Sequence, residues 1–344
     1  MTRSKKVLVT GGAGYIGAHT AVELIQQGYA PVIIDNFSKS DKTLLSGIEE
    51  ITNTQVRFYE GDCADRNFLK RLFALEPGIV AVMHFAAYKS VGESVEQPLK
   101  YYENNIGSVL ALLEIMAEER IQNFIFSSSC TVYGQPDLIP VDEQAPFKRA
   151  ESPYGATKQM CERILEDAVH SNKELRVISL RYFNPVGAHP SALMGELPLD
   201  VPGNLVPFIT QTAAGIRKKL VIFGNNYSTP DGTCIRDFIH IVDLAKAHVV
   251  ALSKMLSSNG LEAYEVFNLG SGDGVSVLQL VKKFVEVTGV SLSYEIGPRR
   301  SGDVEKTYAN PSKAFGKLGW KTNCTIEEAL LHSWNWQKKI SQIQ

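Results

Sequence analysis

Strand-like apolar runs alternate with longer amphipathic stretches through the first half of the chain. Val7 to Thr10, Ala30 to Asp35, Val56 to Glu60, Ala81 to Phe85, Phe124 to Ser128 and Val177 to Arg181 read as strands, and the periodicity between them predicts helices near 15–27, 66–75, 98–119 and 154–170. This β-α repetition predicts an α/β protein: a Rossmann-type, doubly wound parallel sheet covered by helices on both faces. From Asn184 to Arg236 the chain turns loop-rich, with Pro185, Pro190, Pro198, Pro202, Pro207 and Pro230, a composition that suits a smaller lobe closing over a ligand. The stretch Phe238 to Leu252 and a strand Val266 to Asn268 read as additions to the large domain, and Val275 onward as more of the small one. The expected boundaries are 1–185 with returning segments at about 238–270, against 186–237 and 271–344 for a C-terminal substrate-binding lobe.

Composition narrows the class without naming a ligand. At 344 residues, 44% hydrophobic and a net charge of -2, the chain is long enough for about two domains and has no bias toward nucleic acid or membrane surfaces. Five scattered cysteines, Cys63, Cys130, Cys161, Cys234 and Cys324, lack C-x-x-C spacing and fit reduced thiols in a cytosol better than a disulfide framework or zinc site. The seven histidines form no ligand cluster, so no metal is expected. Met1 to Lys6 leads into the first strand too soon for a signal peptide, and no apolar run reaches membrane-span length. A cytoplasmic protein is the expectation.

The first chemical signal follows the first strand. Gly12-Ala13-Gly14-Tyr15-Ile16-Gly17 opens a helix, the context in which glycines allow a tight turn and close backbone approach to a pyrophosphate, and in which the helix N-terminus offers free N–H groups. Asp35, with Asn36 after it, ends the second strand 18 residues beyond Gly17, where a carboxylate accepts from adenosine ribose hydroxyls and repels a 2′-phosphate. NAD is therefore expected over NADP. Gly61-Asp62-Cys63 follows the third strand and reads equally as an adenine-edge contact or a turn. After the fourth strand, His84-Phe85-Ala86-Ala87-Tyr88-Lys89 sets small residues where a backbone could pass the cofactor, although core packing would explain the alanines as well.

The second signal is Ser129, at the end of the serine run of the fifth strand, with Tyr154 and Lys158 one helical turn apart downstream. Positions i and i+4 share a helix face, so an ammonium beside a phenol of reference pKa ~10 favours phenolate, and because a shift of about three units needs roughly 4 kcal/mol, more than one solvated pair yields, the nicotinamide charge is expected to act with it. Oxidation of an alcohol needs a proton acceptor on oxygen and a hydride acceptor facing carbon; Tyr154 supplies the first and NAD the second. Ser129 would hydrogen-bond the substrate oxygen.

Val9 to Gly17, Val91 to Val95, Ser127 to Gly134, Arg181 to Pro190 and Arg236 to His240 together resemble the extended short-chain dehydrogenase/reductases, and within them the UDP-galactose 4-epimerases, over nearly the whole chain. The resemblance implies tightly held NAD that takes hydride from C4 of a UDP-hexose and returns it to the opposite face of the 4-ketose, interconverting UDP-glucose and UDP-galactose in a homodimer. It gives Tyr154 the acid/base role, Ser129 the shared hydrogen bond and Lys158 the nicotinamide-ribose contact. It adds Gly11, Lys89, Asn104 and Phe183 to the cofactor site, and implies Lys89, Asn184, Asn204, Leu205, Val221, Phe223, Arg236, Arg300 and Asp303 for the nucleotide sugar. Two arginines suit a diphosphate. Arg299-Arg300 alone would read as a solvated pair.

One position departs from the pattern. Members that reject N-acetylated sugars carry a tyrosine where this chain has Thr307, which implies room for a C2 acetamido group and activity on UDP-N-acetylglucosamine and UDP-N-acetylgalactosamine. Tyr308 follows, and a one-residue shift of register would restore the bulk. Related 4,6-dehydratases are implied to carry an Asp-Glu pair where this chain has Cys130-Thr131. Epimerisation of UDP-pentoses or UDP-uronates stays open, as does a non-catalytic NAD-binding regulator, which the full Ser129, Tyr154 and Lys158 set disfavours.

Overall fold

Residues 4–257, 260–300 and 303–343 are described in the structure, a computed structural model. In chain order the large half contains β1 (Lys6–Thr10), α1 (Tyr15–Gln26), β2 (Ala30–Asp35), α2 (Thr43–Thr52), β3 (Arg57–Glu60), α3 (Arg66–Leu75) and β4 (Ile79–His84). It continues with α4 (Val91–Glu96), α5 (Pro98–Glu118), β5 (Asn123–Ser129), α6 (Pro153–Ser171) and β6 (Arg176–Tyr182). Then follow β7 (Asn184–Val186), α7 (Leu205–Ala213), β8 (Leu220–Phe223), β9 (Ile235–His240), α8 (Ile241–Leu256) and β10 (Tyr264–Leu269). The chain closes with β11 (Gly274–Ser276), α9 (Val277–Thr288), β12 (Tyr294–Gly297), β13 (Lys306–Thr307) and α10 (Ile326–Ile343).

Seven strands form one sheet in the order β10-β6-β5-β4-β1-β2-β3, every pairing parallel. All five residues of β1 are buried, as a strand covered on both faces requires. Side-chain alternation sends Val7, Val9, Ile33 and Met83 into one core, shared with α1 and α8, and Leu8, Val32, Ile34 and Val82 into the other, shared with α3 and α5. Strand order reverses between β1 and β4, and in such sheets the crevice outside the strand ends at that switch point is where ligands bind.

The smaller half is made of shorter pieces. β11, β9 and β13 lie side by side, with β7 also on β9, and β8 pairs with β12 as a separate ribbon. A third core, including Val206, Ile209, Leu220, Phe284 and Leu330, joins α7, α9 and α10 beneath these strands. The expectation that the chain rejoins the large domain at Phe238 needs correction. Phe238 to His240 completes β9 in the small sheet, and the return to the large half comes through α8, packed on α1, and β10, paired with β6.

Candidate active site

The cofactor end begins with backbone geometry. Gly11 has φ +65, donates its N–H to Ile34 O at 2.8 Å, and leaves only 2.7 Å between a hypothetical Cβ and Ala86 N. A Cβ at Gly17 would fall 2.4 Å from Gly11 O, so the turn and the helix it opens require glycine at both places. α1 starts after Gly14 with no side-chain cap and no acidic residue in its first turn. The amides around Tyr15, Ile16 and Gly17 thus keep donor capacity and partial positive charge for an anion, which fits a dinucleotide pyrophosphate.

Asp35 is buried at the end of β2, where Oδ2 accepts from Ala13 N at 3.1 Å and Oδ1 from Phe37 N at 3.0 Å and Ser40 Oγ at 2.6 Å. These bonds use most of the carboxylate's acceptor capacity, so Asp35 builds the glycine turn. Asn36 is exposed and accepts from Ser38 N, and exposed Asp62 accepts from Ala64 N, each shaping a turn. Cys63 has its side chain in the second core, where burial pushes the thiol up to about 12. Phe85 and Ala86 run beside Gly11.

Ser129 ends β5, and its hydroxyl accepts from Thr131 N at 3.2 Å and Thr131 Oγ1 at 3.0 Å. α6 begins at Pro153 behind a Ser152 cap, which sets Tyr154 and Lys158 on its first two turns. Burial pushes the Tyr154 phenol up to about 12, partly offset by its hydrogen bond with Ser129. Lys158 is itself pushed down to about 8 by burial, and its ammonium donates to Ser127 O at 2.6 Å while lying 4.7 Å from the Phe126 ring centre and 5.9 Å from that of Tyr154. Lys158 alone therefore does not favour phenolate. In the protein by itself the cost of desolvating a phenolate wins, and a further positive charge in the crevice is needed.

Several positions that sequence reasoning passed over hold this edge together. Tyr182, opposite Ser129 in the β5-β6 register, donates its hydroxyl to Ser127 Oγ. Asn105 is buried; its side chain accepts from Tyr88 N at 2.9 Å and donates to Tyr88 O at 3.0 Å and Thr157 Oγ1 at 3.1 Å. It thereby ties the loop carrying Lys89 to the helix carrying Tyr154. Asn104, named from the resemblance, donates to Asn105 Oδ1 at 2.9 Å. Phe183 is buried beside Val132 and Tyr133.

Across the crevice, Asn184 opens β7 and Asn204 caps α7 by backbone, with Leu205 as the first helical residue. Glu196, absent from the sequence reading, accepts from Lys89 Nζ at 3.0 Å and Asn204 Nδ2 at 2.6 Å, joining the two halves. Val221 and exposed Phe223 lie on β8, with the Arg300 guanidinium 5.7 Å from the Phe223 ring centre. Asp303 pairs with Arg300 at 2.7 Å and Arg236 at 3.6 Å, so the carboxylate expected to face ribose hydroxyls first orients two guanidinium groups. Thr307 stands opposite Arg236 in the β13-β9 register. Tyr308 lies over Gly274, with its Cδ1 2.9 Å from where a Cβ would be, and so turns to the other side of the strand from Thr307. Among the described residues no cluster of His, Cys, Asp and Glu suits a metal.

Residues 8–332 match the family model described as GDP-mannose 4,6 dehydratase. The UDP-glucose 4-epimerase of Yersinia pestis is 49% identical over 336 residues, covering 98% of each chain. The UDP-glucose 4-epimerase of Bifidobacterium longum, solved with NAD+ and UDP, superposes with TM-score 0.93 at 44% identity, over 97% of this chain and 98% of that one. The Stenotrophomonas maltophila enzyme, solved with NAD and formylated UDP-arabinopyranose, gives TM-score 0.95 at 45% identity over 99% and 100% of the two chains. With a glycine cradle, a Ser-Tyr-Lys edge and near full-length matches to such enzymes, the chain belongs to the UDP-glucose 4-epimerase family of extended short-chain dehydrogenase/reductases.

Proposed function

We propose that this NAD-dependent isomerase inverts C4 of UDP-glucose and UDP-galactose with Tyr154, Ser129 and Lys158 as its catalytic residues. The observation that carries the assignment is their convergence at the C-terminal end of β5 and the first turns of α6, in the same parallel sheet whose β1 leads into the uncapped N-terminus of α1. When bound, NAD supplies the hydride acceptor and a positive charge beside the phenol. Tyr154 takes the proton from the 4-hydroxyl as C4 gives up hydride, and returns it to oxygen after the 4-ketose has presented its other face. Ser129 holds the reacting oxygen and shares the proton path. Lys158, whose ammonium donates to Ser127 O, contacts the cofactor ribose in this reading. Arg236 and Arg300 take the diphosphate, with Val221 and Phe223 on the nucleoside side.

Elimination at C6 is a poor fit. It calls for an acid where Cys130 stands, and burial pushes that thiol up to about 12. The short side chain of Thr307 supports acceptance of N-acetylated UDP-hexoses, and Tyr308 packs against Gly274. Homodimerisation is supported by exposed Val95, Leu99 and Leu110 on α4 and α5 and Met160 on α6, an apolar strip that light scattering with a Leu99→Glu variant would test. Five unpaired thiols fit a reducing cytoplasm; among the described residues no helix is long and apolar enough to cross a membrane. The deciding assay follows UDP-glucose formation from UDP-galactose by anion-exchange chromatography, without added NAD. Conversion lost in Tyr154→Phe with NAD retained supports the assignment. Failure before and after NAD addition, on UDP-hexoses, UDP-pentoses and UDP-uronates alike, would overturn it.

A further inference from the structure

Next to Arg236 on β9 lies an aspartate with no chemistry assigned to it. Asp237 is fully buried on the opposite side of the strand. Its carboxylate accepts four hydrogen bonds: Oδ1 from Ser271 N at 2.8 Å and Ser271 Oγ at 2.7 Å, Oδ2 from Gly272 N at 3.1 Å and Ala309 N at 3.0 Å. The donors come from two separate segments, the turn that leaves the large sheet after β10 and the chain just beyond β13. β13 itself has only two residues, Lys306 and Thr307, paired with Ile235 and Arg236, a ladder too short to set its own register. Beyond it the chain is held by Val141, which donates to Tyr308 O at 2.9 Å and accepts from Asn310 N at 2.7 Å, and by Asp237.

We propose that Asp237 is a positioning residue for nucleotide-sugar binding: by clamping Ser271, Gly272 and Ala309 it holds β13 in register on β9, so that Arg236 and Thr307 stand side by side at the substrate. The proposal rests on the nucleotide-sugar reading of those two residues. Arg236 and Asp237 both act by charge on the Cys130 thiol, the residue after Ser129, the first lowering and the second raising it, so β9 passes near the catalytic edge. Strand alternation puts Asp237 and Arg236 on opposite sides, so the clamp acts through the backbone and touches no substrate. An amide cannot replace the carboxylate. Asparagine keeps one acceptor oxygen and turns an NH2 group toward N–H donors, leaving buried donors without partners.

The test measures KM and kcat for UDP-galactose, the Kd for UDP by calorimetry, and NAD released per subunit on denaturation, in Asp237→Asn and Ser271→Ala. Asp237→Asn should raise KM and the UDP Kd by about tenfold or more while kcat stays within about threefold and NAD content is unchanged; Ser271→Ala, which keeps the backbone donors, should raise both by about two- to fourfold. The ratio of turnover on UDP-N-acetylgalactosamine to that on UDP-galactose should also shift in Asp237→Asn, because Thr307 loses its fixed place. A general structural role would instead lower NAD content and kcat together, and that result, or unchanged KM and UDP Kd in both variants, overturns the proposal. If Asp237→Asn does not fold, Ser271→Ala decides by the same readouts. UDP affinity judges the clamp even if no sugar turns over, so failure of the activity and failure of the clamp are distinguishable.

Discussion

The two halves of the crevice are built by different means. On the cofactor side, position is set by backbone: a seven-stranded parallel sheet, a glycine turn that admits no Cβ, and an uncapped helix end. On the nucleotide-sugar side, β7, β11 and β13 have three, three and two residues, and buried carboxylates hold the pieces in place. Asp237 gathers four donors, and Asp243 accepts from Asn323 N and Cys324 N at 2.8 Å each. On the proposed assignment, cofactor retention and sugar selectivity rest largely on separate groups, and substitutions should be able to remove one without the other.

The largest expected effect falls between the halves. Tyr154→Phe keeps the ring and loses the proton carrier, so kcat should fall by about 10³-fold or more, with NAD content and UDP affinity unchanged; equal loss of NAD would show that Tyr154 is chiefly a structural support. Next comes a change confined to the cofactor side. Gly17→Ala puts a Cβ against Gly11 O, and the turn must open to relieve it. NAD recovered per subunit should drop by about tenfold or more, while the UDP Kd measured by calorimetry moves by less than about threefold. Parallel weakening of both ligands would break the separation.

The same contrast decides what was legible in the amino-acid order. The cofactor half announces itself because its constraints are local: a glycine spacing, a strand before it, Asp35 after it, and helices whose observed ends, Tyr15–Gln26 and Pro153–Ser171, fall within a residue of expectation. The edge bearing Ser129, Tyr154 and Lys158 was readable for the same reason. Electrostatics at that edge were not. The spacing of Tyr154 and Lys158 gives their proximity but not the burial that pushes the phenol up and the ammonium down. In the sugar half the functional geometry comes from contacts between distant segments, such as Glu196 with Lys89 and Asn204, or Asp237 with Ala309. No periodicity records such pairings. Phe238 to His240 was misplaced because a local sequence pattern does not say which half of the molecule a segment joins.

A smaller, selective effect should come from Thr307, which sits against Arg236 while Tyr308 faces away toward Gly274. Thr307→Tyr should cut kcat/KM on UDP-N-acetylgalactosamine by about tenfold or more and change that on UDP-galactose by less than about threefold. A substitution that left both sugars equally good would place the C2 pocket elsewhere and remove the reason to single out this strand.

The smallest effect concerns stability and sharpens what the catalytic edge costs the fold. Lys158 is buried, with its folded-state pKa lowered to about 8 from 10.5. Between these values the unfolded chain holds the proton more firmly than the folded protein, so this group's penalty is full below about 8 and is relieved as pH rises toward its unfolded value. Lys158→Met removes the penalty and fills the site with an apolar chain of similar length. Urea unfolding at pH 7 should therefore find the variant inactive but more stable by about 1–2 kcal/mol, with the advantage shrinking toward pH 9.5. A variant less stable than wild type at pH 7, or an advantage that grows with pH, would mean that the bond to Ser127 O outweighs the desolvation of the ammonium, and that Lys158 supports the fold as well as the chemistry.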